Sequence, residues 1–532
     1  MRAINVFLAF TVSALIAFAF FEGGLRLLTP YKPQETINQF DSKLGWSKTP
    51  GKAVERSTAE FDITFEINAL GLRDDPMEDT RKPDGVFRTV MLGDSFVLGF
   101  TVDRRDLFVD HLERWWGEEG RSVEVLNAGT EGWSTDQEVL WFLEHGVDFQ
   151  PDLVCIFPYE NDIYWAGQSD YYGKAKPRFQ PDGTLETGTL ADRSQKPSAL
   201  ANLATTQFLK TAVLPLLRGG GAGPTPYNFE AAPGIYVPRE FGPLVVPPPA
   251  FVAQAVGHTR GALIALRDRC NQVGAELLMV PIPSESVFHP EEREKFRTHP
   301  AGLNGLDDES WSPNAPVDTF LELGSELGIA TLDLRPALER RTADLGRPLY
   351  FDEEWHFNPD GNHAIALALH ETFDQRGLFP DSHRARVATS LTLPDHESRR
   401  PLWPFVYMGL LLLLGTSYVL TYRDENVPLV YLKVGGLLAV VFALIMGGGA
   451  LIESLPPQVA GWILPGLVLV LLGVIGWKLG RRLGTILELM KAFTLRGHWY
   501  LMPLVVVLLT IGSLLVVAAS SPLIAPFIYT LF

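Results

Sequence analysis

From Phe87 onward, short apolar runs rich in β-branched residues alternate with longer stretches of helical period, and this alternation constrains the fold more than any other feature. The runs cover 87–93, 122–126, 153–159, 276–280 and 330–334, and helices are predicted near 104–116, 136–145, 251–273, 317–327 and from Pro359 to about Phe373. Strands that are apolar along their whole length are buried on both faces, so the pattern predicts a doubly wound α/β domain with a parallel sheet. Ligands of such sheets gather outside the carboxyl ends of the strands. The residues that follow each run are therefore the first place to look for chemistry.

Four of those strand ends carry reactive or anion-binding groups. Ser95 closes Gly93-Asp-Ser-Phe96 after the first run, and Gly132 lies in Asn127-Ala-Gly-Thr-Glu-Gly-Trp133 after the second. Asn161 follows the third in Glu160-Asn-Asp162, and His356 sits after the last in Tyr350-Phe-Asp-Glu-Glu-Trp-His-Phe-Asn-Pro-Asp-Gly361, just ahead of the final helix. Each stretch alone reads as a turn; four in a row at strand ends read as a site. The four stretches resemble the blocks of the SGNH (GDSL-type) hydrolases, over roughly residues 61–376. The membrane-anchored bacterial branch is the nearest match, through Asn68-x-x-Gly-Leu-Arg73 and His356-x-Asn-Pro-x-Gly361.

That resemblance implies a flavodoxin-like sheet and a Ser-His-acid mechanism. Ser95 would attack an ester carbonyl and His356 would be its base, because a free hydroxyl is a weak nucleophile at neutral pH. The oxyanion would be held by the N–H groups of Ser95 and Gly132 and the side-chain amide of Asn161. Two positions depart from the family pattern: Tyr159 stands where the third block has Gly, and Glu353 stands where the last block has Asp. Glu353 is the triad acid by spacing, with Asp352 and Glu354 beside it as rivals. No cofactor or metal is expected.

The ends of the chain have a different character. Residues 6–21 are apolar and continue into Leu25, Leu27 and Leu28, which predicts an uncleaved anchor rather than a signal peptide cut near Ala19. Beyond Pro401, four apolar stretches at 403–422, 434–452, 459–477 and 501–520 each approach the roughly 20 residues that cross a bilayer. Lys478, Arg481, Arg482, Lys491 and Arg496 crowd the loop before the last stretch, so the positive-inside rule places that loop in the cytoplasm and the polar domain outside. These spans hold few ionisable groups, so an anchoring or partner-binding role is preferred to ion-driven transport. Residues 486–532 resemble a small bacterial membrane-protein family of unknown function. The expected division is an anchor at 1–28, a connecting segment with a short strand at 29–85, a hydrolase domain at 86–380, a linker at 381–402 and four membrane helices at 403–532.

Within the domain, regularity stops between about 165 and 249, where a hairpin at 176–185 and a helix at 198–217 are expected inside a long insertion that forms a lid or substrate wall. Gly219-Gly-Gly-Ala-Gly223 follows no strand and precedes no Gly-Lys-Ser, so it is read as a surface loop. Asn68 to Arg73 is a turn or a loop bordering the site. Seven Lys/Arg against four Asp/Glu lie beyond residue 400, so the net charge of −17 belongs to the polar domain and disfavours nucleic-acid binding. Cys155 and Cys270 read as small core residues. The expected function is a serine esterase at the outer face of a bacterial cytoplasmic membrane that removes a small, acetyl-like acyl group from an envelope or exported carbohydrate. O-acyl transfer on such a glycan is the close alternative, and a non-catalytic assembly module the distant one. Expected partners are the acylated substrate, the bilayer and other membrane proteins.

Overall fold

A computed structural model describes residues 36–379 apart from 59, 187, 193–202, 204, 207–223, 300 and 353, together with 18, 22, 403–421 and 426–439. Residues 32–394 form one compact unit, and residues 1–31 with 395–532 a second. The first unit holds strands β1 (Asn38–Asp41), β2 (Gly45–Lys48), β3 (Ala53–Ser57), β4 (Asp62–Glu66), β5 (Phe87–Gly93), β6 (Val123–Asn127), β7 (Leu153–Phe157), β8 (Asp170–Tyr171), β9 (Lys174–Ala175), β10 (Asn228–Ala232), β11 (Ile235–Pro238), β12 (Glu276–Met279) and β13 (Ala330–Thr331). Its helices are α1 (Ser95–Leu98), α2 (Phe108–Glu118), α3 (Thr135–Glu144), α4 (Asp162–Ala166), α5 (Ala250–Val273), α6 (Pro290–Thr298), α7 (Ala315–Leu327), α8 (Arg335–Leu345) and α9 (Pro359–Arg376).

Five strands pair in the order β13-β12-β7-β5-β6, all parallel. Counted along the chain this is the 2-1-3-4-5 order of a flavodoxin-like sheet, in which the first strand lies between the second and the third and the chain reverses direction across the sheet beside it. All seven residues of β5 and all five of β7 are buried, as strands covered on both faces must be. Helices α2, α8 and α9 pack one face through Leu112, Trp116, Leu338 and Phe373, and α3, α5 and α7 pack the other through Phe142, Leu266 and Phe320. Cys155 and Cys270 are both buried and free.

The ends of the elements differ from expectation in physically simple ways. The last strand is two residues long, and a helix, α8, separates it from the His356 loop. Pro336 lies in the first turn of α8, where its missing N–H costs nothing, and so favours a helix directly after the run expected to be a strand to Leu334. Residues 37–67 build two antiparallel hairpins, β1–β2 and β3–β4. In the insertion, Phe179 bridges Leu185 across a tight turn, and β8–β9 and β10–β11 form two further small hairpins. The expected helix at 198–217, apart from a few of its residues, and the glycine-rich stretch at 219–223 lie outside the described residues.

In the second unit, α10 (Trp403–Thr421) coincides with the first expected span. Val430, Val434 and Leu438, from a helical stretch at 427–439, pack against Leu410, Leu411 and Leu414. Among the described residues no helix is long and apolar enough to cross a membrane. Nearly all of the N-terminal anchor, most of the second expected span and all of the last two lie outside them.

Candidate active site

Ser95 is the first residue of α1, just beyond the carboxyl end of β5, an inner strand flanked by β6 and β7. The turn is tight, and a Cβ on Gly93 would lie 2.3 Å from the Val97 side chain, so only glycine lets the strand pass into the helix here. Asp94 caps α1 by accepting the Phe96 N–H at 2.9 Å. At the other end of α1, Arg73 is wholly buried and donates to the carbonyls of Leu98, Gly99 and Val102 at 2.5 to 2.8 Å. The Asn68 side chain folds that arginine's loop by accepting from Leu70 and Leu72. The Asn68–Arg73 stretch is therefore both a turn and a support of the nucleophile.

His356 reaches Ser95 across 261 residues of sequence, with its Nε2 at 2.8 Å from the Ser95 Oγ. Its loop is closed by an antiparallel bridge between Tyr350 and Phe357, and α9 starts immediately after it with Asn358 as N-cap and Pro359 in the first turn. His356 Nδ1 lies 2.7 Å from the backbone carbonyl of Glu354. A carbonyl can only accept, so Nδ1 carries the proton and Nε2 presents its lone pair to the serine hydroxyl. The ring stacks on Phe96 at 4.6 Å and on Phe100 at 5.2 Å. Burial lowers its pKa to about 4; the Glu354 carbonyl opposes the shift and the charge of Arg56 adds to it.

No candidate acid lies against this imidazole among the described residues. Glu353 lies outside the described residues, while Asp352, its rival, is exposed and pairs with Lys295. Glu354 supplies its main-chain oxygen to the ring. Among the described residues, the group that orients the histidine is thus a backbone carbonyl.

Gly132 has φ +73, a left-handed conformation that favours glycine. Its loop is pinned beside Ser95 by two bonds, Thr130 N–H to the Gly93 carbonyl at 3.0 Å and Asn127 Nδ2 to the Val97 carbonyl at 2.8 Å, while Gly129 N–H to Asn127 Oδ1 at 3.0 Å holds the loop's own turn. Asn161 stands at the N-terminus of α4 with its Oδ1 buried and unpartnered. Tyr159, two residues earlier, places its ring 4.6 Å from Phe96 and closes the space that a glycine would leave open.

Residues that the sequence did not mark complete the site. Glu131, beside Gly132, accepts from Arg56 at 2.6 Å through its carboxylate and from Trp46 Nε1 at 3.0 Å through its carbonyl. The Arg56 guanidinium also lies 3.9 Å over the Phe100 ring that stacks on His356. The hairpins at 37–67 therefore brace the Gly132 loop and, through Phe100, the His356 ring together. The available signal was an arginine at an inward position: Val54 and Arg56 are buried in β3 while Ala53 and Glu55 are exposed.

Below the site lies a group of buried carboxyls. Burial raises Asp94 to about 7, and burial with mutual repulsion raises Glu138 and Asp162 well above the usual carboxylate range. Lys176 offsets part of this charge through a fully buried pair with Asp136 at 2.5 Å.

Residues 483–532, outside the described part, match a family of unknown function, DUF5989. No curated protein matches the chain. Among solved structures, the chain is similar to TesA, with 12% identity over 55% of this chain and 99% of that one and a TM-score of 0.29. It is also similar to the acetyl xylan esterase AlAXEase, with 10% identity over 54% and 99% and a TM-score of 0.31. A third is a lipase/acylhydrolase from Enterococcus faecalis, with 14% identity over 55% and 96% and a TM-score of 0.29.

Proposed function

We propose that the protein is a serine esterase that removes a small, acetyl-like acyl group from a carbohydrate of the cell envelope or of an exported glycan. The observation that carries the reading is the 2.8 Å contact between Ser95 Oγ and His356 Nε2, with the histidine tautomer fixed by the Glu354 carbonyl. His356 takes the hydroxyl proton as Ser95 attacks the ester carbonyl. The oxyanion is then stabilised by the N–H groups of Ser95 and Gly132 and by Asn161 Nδ2, none of which has a hydrogen-bond partner among the described residues. The imidazolium returns its proton to the leaving alcohol. Water resolves the acyl-enzyme in hydrolysis; a sugar hydroxyl would do so in transfer.

A carbohydrate is favoured by the aromatic wall beside Gly132. Tyr172 and Tyr227, both exposed, present its outer face and are backed by Tyr171 and the buried Trp46 and Trp165, with successive ring centroids 4.6 to 5.3 Å apart. The Tyr171 hydroxyl would stand 3.4 Å from a Cβ at Gly132, which brings the wall up to the oxyanion loop. Aromatic faces with hydroxyl-accepting carboxylates such as Glu240 at their edge suit sugar rings. The basic loop before the final apolar stretch supports an extracytoplasmic domain held by the terminal helices.

The test is labelling of the full chain in detergent by a fluorophosphonate, together with turnover of nitrophenyl acetate. Neither should exceed background in Ser95→Ala, and a wild type that matches this variant would refute the reading. Acetate release from an acetylated glycan, with and without an acceptor sugar, separates hydrolysis from transfer.

A further inference from the structure

Beside the nucleophile is a small open cleft that the proton transfers above do not use. Its walls include Tyr159, Glu160, Glu285, Ser286, Phe296 and Trp355. Three of these adjoin reactive groups directly. Glu160 precedes Asn161, Trp355 precedes His356, and the Tyr159 ring packs on Phe96, the neighbour of Ser95. An ester held at Ser95 therefore projects one of its two halves toward this cleft.

The chemistry of the walls selects an occupant. Glu285 is almost completely buried, yet its Oε2 has no hydrogen-bond partner. A buried, unmet carboxyl oxygen is costly unless a ligand donates to it. Glu160 is equally buried and bonds to Ser284. Trp355 and Phe296 meet edge to face at 5.5 Å and provide apolar surface. Trp355 holds φ +54, uncommon for a bulky residue, and such strain is retained where a side chain has to be aimed. No basic residue lines the cleft among the described residues, and nearby Lys295 is engaged by Asp352 and Glu292.

We infer that this cleft is the subsite for the alcohol half of the ester, and that its cavity of about 30 Å³ takes the hydroxyl-bearing edge of one uncharged pyranose ring, hydrogen-bonded by Glu285 and Glu160 with the ring packed on Trp355 at the opening, while rejecting uronic-acid rings. The inference rests on the esterase reading for its orientation, but binding can be measured without turnover. Burial raises Glu160 to about 7 and Glu285 to about 8, so near neutral pH these groups both donate to and accept from sugar hydroxyls. A uronate carboxylate would find no basic partner in this lining and would be repelled by Glu292 and by the ionised fraction of Glu160.

The experiment uses the full chain in detergent carrying Ser95→Ala, titrated calorimetrically with xylotetraose and with tetragalacturonate. The neutral sugar should bind and the acidic one should not, and adding Glu285→Gln should weaken the neutral sugar about tenfold by loss of one buried hydrogen bond. In active protein, the ratio of kcat/KM for a mono-acetylated xylo-oligosaccharide to that for nitrophenyl acetate should fall by a similar factor in Glu285→Gln. Phe296→Leu gives the same readout if the glutamine variant fails to fold. Equal binding of the two sugars, or an unchanged ratio, overturns the subsite. Sugar binding with no turnover above Ser95→Ala leaves the subsite standing and removes the esterase reading; turnover without sugar preference does the reverse.

Discussion

The base of this site should work at unusually low pH. His356 has to be neutral to take the Ser95 proton, so the acid limb of kcat/KM reports its pKa in the free protein. An ordinary imidazole with a pKa of about 6.5 would be about nine-tenths protonated at pH 5.5. With its pKa lowered to about 4, His356 is protonated at that pH in only about 3% of molecules. Activity at pH 5.5 should therefore nearly equal that at pH 7.5, with the half-point near pH 4. Burial is the largest cause, so Phe100→Ala, which opens one face of the ring to water, should move the limb toward higher pH. Arg56→Met removes a charge that disfavours the imidazolium and should move it the same way by a smaller amount. The plateau of Arg56→Met should also drop, because Glu131 loses its partner beside Gly132. The assay is nitrophenyl acetate hydrolysis from pH 3.5 to 8 at constant ionic strength, with recovery at pH 7 checked after each exposure. A wild-type half-point between pH 6 and 7, or a downward shift in Arg56→Met, would refute this account of the base.

Three further perturbations probe the frame. Asn161→Ala should lower kcat on the order of a hundredfold or more with little change in the unfolding midpoint, since it removes an oxyanion donor from the edge of the site. Arg73→Met leaves three buried carbonyls of α1 and its exit turn without a donor, and should cost about 3 kcal/mol or more in denaturant unfolding while abolishing fluorophosphonate labelling. Glu138→Gln should raise the thermal midpoint at pH 8 and change it little at pH 4. Its carboxyl binds its proton more tightly in the folded state than in the unfolded one, so wild-type stability is complete below the unfolded pKa and falls as pH rises. A midpoint gain confined to low pH would contradict that assignment.

The strands were legible because burial on both faces leaves a signature in composition, and β5 ends at the residue the apolar run predicts. Ser95 stood out because the chain turns sharply at a small residue. The group that orients His356 left no mark, since any residue at 354 would present the same carbonyl. Arg56 and Trp46 were hidden, and Arg73 was marked only as part of a motif without its contacts, for a different reason. Their roles exist only once the hairpins at 37–67 and the turn after them pack beside α1 and the Gly132 loop, a tertiary contact that no local period encodes. In the insertion the turn at 176–185 was legible, but the other hairpins were not, because their strands are two to five residues long and only partly buried, too short for a hydrophobic period to emerge.

One physical cause runs through both the base and the carboxyls. Desolvation pushes His356 down and Asp94, Glu138, Glu160 and Asp162 up, so the whole rim favours neutral forms. In such surroundings fixed dipoles act with little screening, and N–H groups aimed at a developing oxyanion are worth more than in water. The same dryness makes the imidazolium of the transition state costly, and the Glu354 main-chain carbonyl, its partner among the described residues, stabilises it less than a carboxylate would. The arrangement consequently places more of the catalytic burden on the oxyanion donors than on the orienting group. It follows that removing Asn161 should damage the reaction more than replacing either Asp352 or Glu354.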